Sequence, residues 1–224
     1  MSVPDDTKRT YMKADDRRAQ ILGCARQVFA QRGFHVTSVA DICAEAGIGR
    51  GTLYQYFDNK RDLFLAVLED IAQRVREVIE GRPAVVEVPG AAEATREVVI
   101  AFCERRLRRV LDAVFMDEAS LRLLWKEARA VDGGSDRIVR RVDEIVRDAV
   151  MRDLAGARDL GVIDCEDVEL TALFVIGGVE KMVLDALDRD LPVDLDRIVR
   201  IATQIEMFGM LRQPARAPQG RDEE

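Results

Sequence analysis

Histidine occurs once in the 224 residues, at position 35, and only four cysteines are present, at 24, 43, 103 and 165. Neither set has the close spacing that metal sites or disulfide frameworks require, so no metal and no cofactor are expected. With no Gly-x-Ser-x-Gly elbow and one histidine without a Cys or Asp cluster beside it, no catalytic constellation can be assembled, and the chain is not read as an enzyme. His35 is a loop or surface residue. No apolar run approaches the ~20 residues of a membrane span, and the polar start has no apolar core for a signal peptide. Alternating apolar and polar runs bounded by hairpin turns are missing as well, which removes the sheet classes. Proline (6 residues) and aromatics (5%) are sparse. What remains is an all-α protein of the cytoplasm with reduced, mostly buried cysteines; a redox role would fall to Cys103 or Cys165.

The net charge of −7 is unevenly spread. Residues 1–66 hold ten basic and eight acidic side chains, a net of +2, and residues 67–224 hold 24 and 33, a net of −9. An acidic body with a net-basic head suits a protein that presents one face to a polyanion.

The chemistry of that head lies between Thr37 and Arg61. Thr37 or Ser38 can cap a helix with Asp41 in its first turn. Val39, Ile42, Cys43 and Ala46 form its apolar stripe. Gly47 supplies a left-handed stop, and Ile48 plugs the turn. A second helix restarts at Gly49, and its side chains Arg50, Thr52, Tyr54, Gln55 and Tyr56 are nearly all of hydrogen-bonding type. Only Leu53 and Phe57 anchor it. Such a helix is built to be presented to a partner, as the second helix of a helix-turn-helix is. The Gly-Ile-Gly-Arg-Gly run (47–51) fits no phosphate-loop spacing and follows a helix rather than a strand.

The run Gly-Arg-Gly-Thr-Leu-Tyr-Gln-Tyr-Phe-Asp-Asn-Lys-Arg-Asp-Leu-Phe (49–64), with Gly-Phe-His-Val-Thr-Ser (33–38) before it, resembles the DNA-binding domain of TetR-family repressors. The motif resemblance covers roughly residues 15 to 70; beyond it the chain matches that family in length and helical content. Side-chain type and position assign Arg50 to a guanine edge and Gln55 to an adenine, each pair worth ~1–3 kcal/mol of discrimination. Thr52 suits a thymine methyl or a phosphate. Tyr54, Tyr56, the capping Thr37 or Ser38, and Lys60 suit phosphate oxygens. These positions match where TetR-like proteins make such contacts. Gly51 stands where some relatives carry a bulkier residue.

Along the chain, residues 1–14 read as a flexible arm and 15–62 as the helix-turn-helix domain, with Phe34 and Val36 packing inside it. Residues 63–212 read as a helical effector-binding and dimerisation domain, and 213–224 as a disordered tail. Asp58 or Asn59 caps a long helix from Lys60 to about Gly81, a rod joining the motif to the rest. Further helices are expected at about 92–114, 118–130 and 136–159, with Asp132-Gly-Gly-Ser-Asp136 as a turn. A helix at about 166–187 is apolar nearly all round and must be covered on every side. With the last helix it offers Phe174, Gly177, Gly178, Met182, Ile198, Ile205 and Phe208 as a subunit interface. The resemblance implies the same, a dimer through a four-helix bundle, and a pocket among the central helices, for which Phe102, Cys103, Phe115, Leu124, Trp125 and Phe174 are the apolar candidates.

The expected function is a ligand-responsive transcriptional repressor that binds an inverted-repeat operator in double-stranded DNA as a homodimer and is released by a small molecule. The binding chemistry would serve an activator equally. A small-molecule carrier or scaffold with a vestigial DNA-binding motif is the reading from another class.

Overall fold

The computed structural model describes residues 13–81, 95–115, 117–131, 133–161, 163–189 and 191–210. The N-terminal arm and C-terminal tail expected from the sequence lie almost wholly outside them. All regular elements among the described residues are helical: α1 (Ala14–Arg32), α2 (Val39–Ala46), α3 (Arg50–Tyr54), α4 (Lys60–Glu80), α5 (Arg96–Val114), α6 (Glu118–Arg122), a π-helical stretch (Leu123–Glu127), α7 (Ala128–Val131), α8 (Gly133–Asp159), α9 (Val168–Asp188) and α10 (Leu195–Met210). The all-α fold expected from the sequence is the one found.

The chain divides into two compact units. One gathers the described residues up to Ile71 with Asp117–Ile138, and the other holds the stretches from Ala72 and from Val139 onward. The first is built on an aromatic centre. Phe29 of α1 meets Phe64 of α4 edge-on, ring centroids 5.1 Å apart, and Phe34 of the α1–α2 turn lies 4.8 Å from Phe64. Ile21, Ile42, Leu53, Leu63 and Leu68 are fully buried around it, as the apolar spacing of each helix requires. Val36, expected to pack there beside Phe34, is instead 77% exposed.

In the second unit Val99, Phe102, Cys103, Val110, Leu154, Ala157 and Ala172 form a core between α5, α8 and α9. Thr95 caps α5 and Asp167 caps α9, each side chain accepting from a backbone N–H three residues on. Two expectations change. Of the turn expected at 132–136, residues 133–136 are wound into α8, with Ser135 fully buried in its first turn, and residue 132 lies outside the described residues. The helix at 118–130 is likewise not uniform; its middle five residues are wound as a π-helix.

Candidate nucleic-acid interface

Local chemistry fixes the two helices of the motif. The Ser38 hydroxyl accepts from the Asp41 N–H at 3.2 Å, and the Asp41 carboxylate accepts from the Ser38 N–H at 2.8 Å, a reciprocal capping box that resolves the choice between Thr37 and Ser38. These bonds to Ser38, with Arg32 at 2.9 Å behind them, hold the Asp41 carboxyl below its usual range. Gly47 closes α2 in the left-handed region at φ 63°, and the Ile48 N–H returns to the Cys43 carbonyl at 3.0 Å. The side chain of Gln20 donates to the Ala46 carbonyl at 3.2 Å, tying α1 to the end of α2. Gly49 then starts α3, and Asn59 starts α4 by accepting from the Asp62 N–H at 2.9 Å.

α3 is anchored as its sequence requires. Leu53 and Phe57 are buried, and Arg18 of α1 lies over the Phe57 ring at 5.4 Å. Arg50, Gly51, Tyr54 and Gln55 are exposed; Thr52 and Tyr56 are half-buried. Tyr54 stands 50% exposed, and a methyl group placed on Gly51 would meet open space. The polar groups of α3 are therefore directed outward from two apolar anchors.

Two candidates sit differently. Thr37 is 1% exposed, and its hydroxyl donates to the Gly33 carbonyl at 2.8 Å. Lys60 places its ammonium 2.7 Å from the Phe34 carbonyl, 2.9 Å from that of Thr37 and 3.4 Å from that of His35, above the Phe34 ring. Three acceptors occupy its three donors. In this structure both residues build the α1–α2 turn instead of standing ready for a phosphate.

The six pocket candidates are divided between the two units. Phe102 and Cys103 belong to the second unit's core, where burial pushes the Cys103 thiol up to about 11 against the pull of Arg106; a thiol held neutral is a poor redox centre. Leu124 and Trp125 belong to the first unit, Phe115 is half-buried at the end of α5, and Phe174 is 72% exposed. The interface candidates differ in exposure. Phe174, Gly177, Gly178 and Ile205 are exposed, as are Leu170, Leu173 and Ile201 on the same two helices. Met182 is half-buried. Ile198 is 8% exposed and spent within its own chain, and Phe208 falls within α10.

The sequence reading missed the polar interior of the second unit. Arg106 on α5 and Glu206 on α10 form an ion pair at 3.3 Å with side chains 6% and 4% exposed. Burial raises the Glu206 carboxyl above its ordinary range, and Arg106 opposes that. Arg109 pairs with Asp153 at 3.1 Å in a similar setting. An open groove of about 550 Å³ runs beside them, lined by Arg105, Arg108, Arg200 and Asp196 among others. Helical periodicity marks such residues as interruptions of an apolar stripe but not as partners.

Residues 21–67 match the family model described as bacterial regulatory proteins, tetR family. The chain is 29% identical over 204 residues to the HTH-type transcriptional activator FasR of Mycolicibacterium smegmatis, spanning 89% of this chain and 85% of that one. It is 41% identical over 64 residues to the HTH-type transcriptional regulator TtgR of Pseudomonas putida, 29% of this chain and 30% of that one. Among solved structures, the transcriptional regulator FadR of Bacillus subtilis in complex with stearoyl-CoA superposes with a TM-score of 0.63 at 20% identity, covering 84% of this chain and 96% of that one.

Proposed function

Because the chain is a TetR-family transcriptional regulator, we propose that it represses transcription by reading an inverted-repeat operator with α3 and is released from it by a small molecule. The observation that carries the reading is the short α3 itself: Leu53 and Phe57 are buried while the side chains of Arg50, Tyr54 and Gln55 face outward and make no side-chain hydrogen bond or ion pair among the described residues. Side chains that find no partner within their own fold are available for base edges and phosphates. Arg50 addresses a guanine, Gln55 an adenine, and Thr52, Tyr54, Tyr56 and Ser38 the sugar–phosphate walls. Gly51 admits close approach of the α3 backbone. The setting is the cytoplasm, and no helix among the described residues is long and apolar enough to cross a membrane.

One copy of such a short helix touches few phosphates. A twofold dimer places two copies in successive major grooves, ~34–36 Å apart. Support for the dimer comes from α9 and α10, which leave Leu170, Leu173 and Phe174 of the first and Ile201 and Ile205 of the second exposed. Large apolar side chains gathered on helix faces mark interaction surfaces. Phe174→Asp should convert a dimer to a monomer in sedimentation velocity; an unchanged dimer would remove this face from the interface. That FadR, a neighbour in fold, was solved with stearoyl-CoA supports control by a ligand as a class without naming this chain's effector.

The test is fluorescence anisotropy against DNA from upstream of the chain's own gene, at two salt concentrations, with Tyr54→Ala alongside. Saturable binding that weakens steeply with salt and fails in the variant is expected. A folded dimer that binds neither this DNA nor random inverted repeats would overturn the regulator reading in favour of a ligand carrier. Activation is the second reading, favoured by the likeness to FasR, a transcriptional activator. A reporter that falls in expression when the gene is deleted would establish it in place of repression.

A further inference from the structure

The turn between α1 and α2 is open to solvent at His35 and Val36, yet its backbone is held from two sides. From α4, Lys60 takes the carbonyls of Phe34, His35 and Thr37. From the π-helical stretch, a carboxylate oxygen of Glu127 accepts the Phe34 N–H at 2.8 Å. The chain reaches that carboxylate through Gly33, at φ 80°, where an added Cβ would stand 3.1 Å from the same oxygen. At the N-cap of α6, Asp117 holds Arg26 of α1 at 2.8 Å, and the Arg26 guanidinium also donates to Ser120 at 3.3 Å. All of these residues lie in the first compact unit. A cation grips the carbonyls of the turn and an anion grips its N–H, and α2 begins at the next residue with Ser38 as its cap.

The geometry points to Glu127 as a positioning residue for DNA reading: its carboxylate sets the α1–α2 turn, and through it the placement of α2 and α3. This rests on the DNA-reading role proposed above. The winding of Leu123–Glu127 gives the clamp a way to release. A π-turn holds almost one residue more than an α-turn, so rewinding the stretch to α geometry turns Glu127 by roughly 70° relative to Leu123 and takes its carboxylate off Phe34. A two-state helix register at this place gives segment 117–138 a handle on the reading head, and what biases that register then biases DNA affinity.

Glu127→Ala and Glu127→Gln in the full chain test this, since the amide oxygen of glutamine still accepts the Phe34 N–H. Two readouts are taken: hydrogen exchange at the Phe34 amide by NMR, and the dissociation constant for an operator-bearing duplex. In Glu127→Ala the Phe34 amide should exchange roughly tenfold faster, because a hydrogen bond to a charged acceptor is gone. Operator affinity should weaken by a similar roughly tenfold, while circular dichroism reports unchanged helix content, and Glu127→Gln should restore most of both. Wild-type exchange at Phe34 in Glu127→Ala overturns the clamp. Faster exchange with unchanged DNA affinity overturns the positioning role. If the unmodified chain binds no DNA, the regulator reading fails, and the exchange rate at Phe34 still decides the clamp.

Discussion

Two glycines ten residues apart should respond to the same substitution with opposite signs. Gly33 ends α1 at φ 80°, ψ 157°, a region of backbone space that only glycine occupies freely. Placing alanine there costs ~1–3 kcal/mol in backbone strain alone. The new methyl also arrives 3.1 Å from the Glu127 carboxylate, which must move and loosen its bond to the Phe34 N–H. A hydrogen bond to a charged group contributes ~1.5–3 kcal/mol, and partial exposure of Glu127 reduces that share. The combined loss is about 2–4 kcal/mol, which lowers the melting temperature of a chain this size by roughly 5–15 °C. Gly23 sits inside α1 with nothing within 4 Å of where its Cβ would be. Alanine there removes a helix penalty of ~0.5–1 kcal/mol and should raise the melting temperature by roughly 1–4 °C. Thermal unfolding of both variants followed by circular dichroism decides the matter. A neutral or stabilising Gly33→Ala would refute the argument, since it would mean the turn does not hold this backbone against Glu127.

Ser38→Ala should cost about 1 kcal/mol by removing the cap of α2, measured by urea unfolding. Its partner Asp41 gives a pH test with a defined sign. Its carboxyl is held low in the fold, so its stabilising effect is complete above the ordinary Asp value and is lost as pH falls through the lowered one, below about pH 4. Asp41→Asn should flatten that acid limb of the stability profile. In the second unit, Glu206→Ala strands the buried Arg106 and should cost ~3–5 kcal/mol, whereas replacing both with methionine should be near neutral in the same denaturation assay.

Much of the DNA-reading head was legible in the sequence because its signals are local. Ser38 three residues before Asp41, Gly47 after Ala46, and Leu53 with Phe57 as lone apolar positions act within one or two helical turns, and each took the role its spacing dictates. What was not legible depends on distant partners. Lys60 is an exposed basic residue by sequence, but its stem is long enough to carry the ammonium back over Phe34 to three carbonyls. Thr37 looked like a cap and turned inward, because the neighbouring Ser38 had the better path to the Asp41 N–H. Glu127 lies 93 positions from the Phe34 amide it binds, and no periodicity links them. The polar face of α10 reads as a break in an apolar stripe until Arg106 is found opposite Glu206. Ile198 shows the reverse problem: apolar spacing marks that a residue is buried, not whether its own chain or a second copy covers it.

The central claim is that α3 reads bases, and in vitro selection from random duplex DNA tests it most directly when run in parallel with the unmodified chain and Arg50→Ala. The expected product is an inverted repeat with half-sites about 10 base pairs apart. Arg50→Ala should still select that repeat but lose its preference at one guanine in each half-site, at a cost of ~1–3 kcal/mol per contact. Selection of an identical sequence by both proteins would contradict the assignment of base reading to α3, and enrichment of no sequence by a folded dimer would contradict the claim itself.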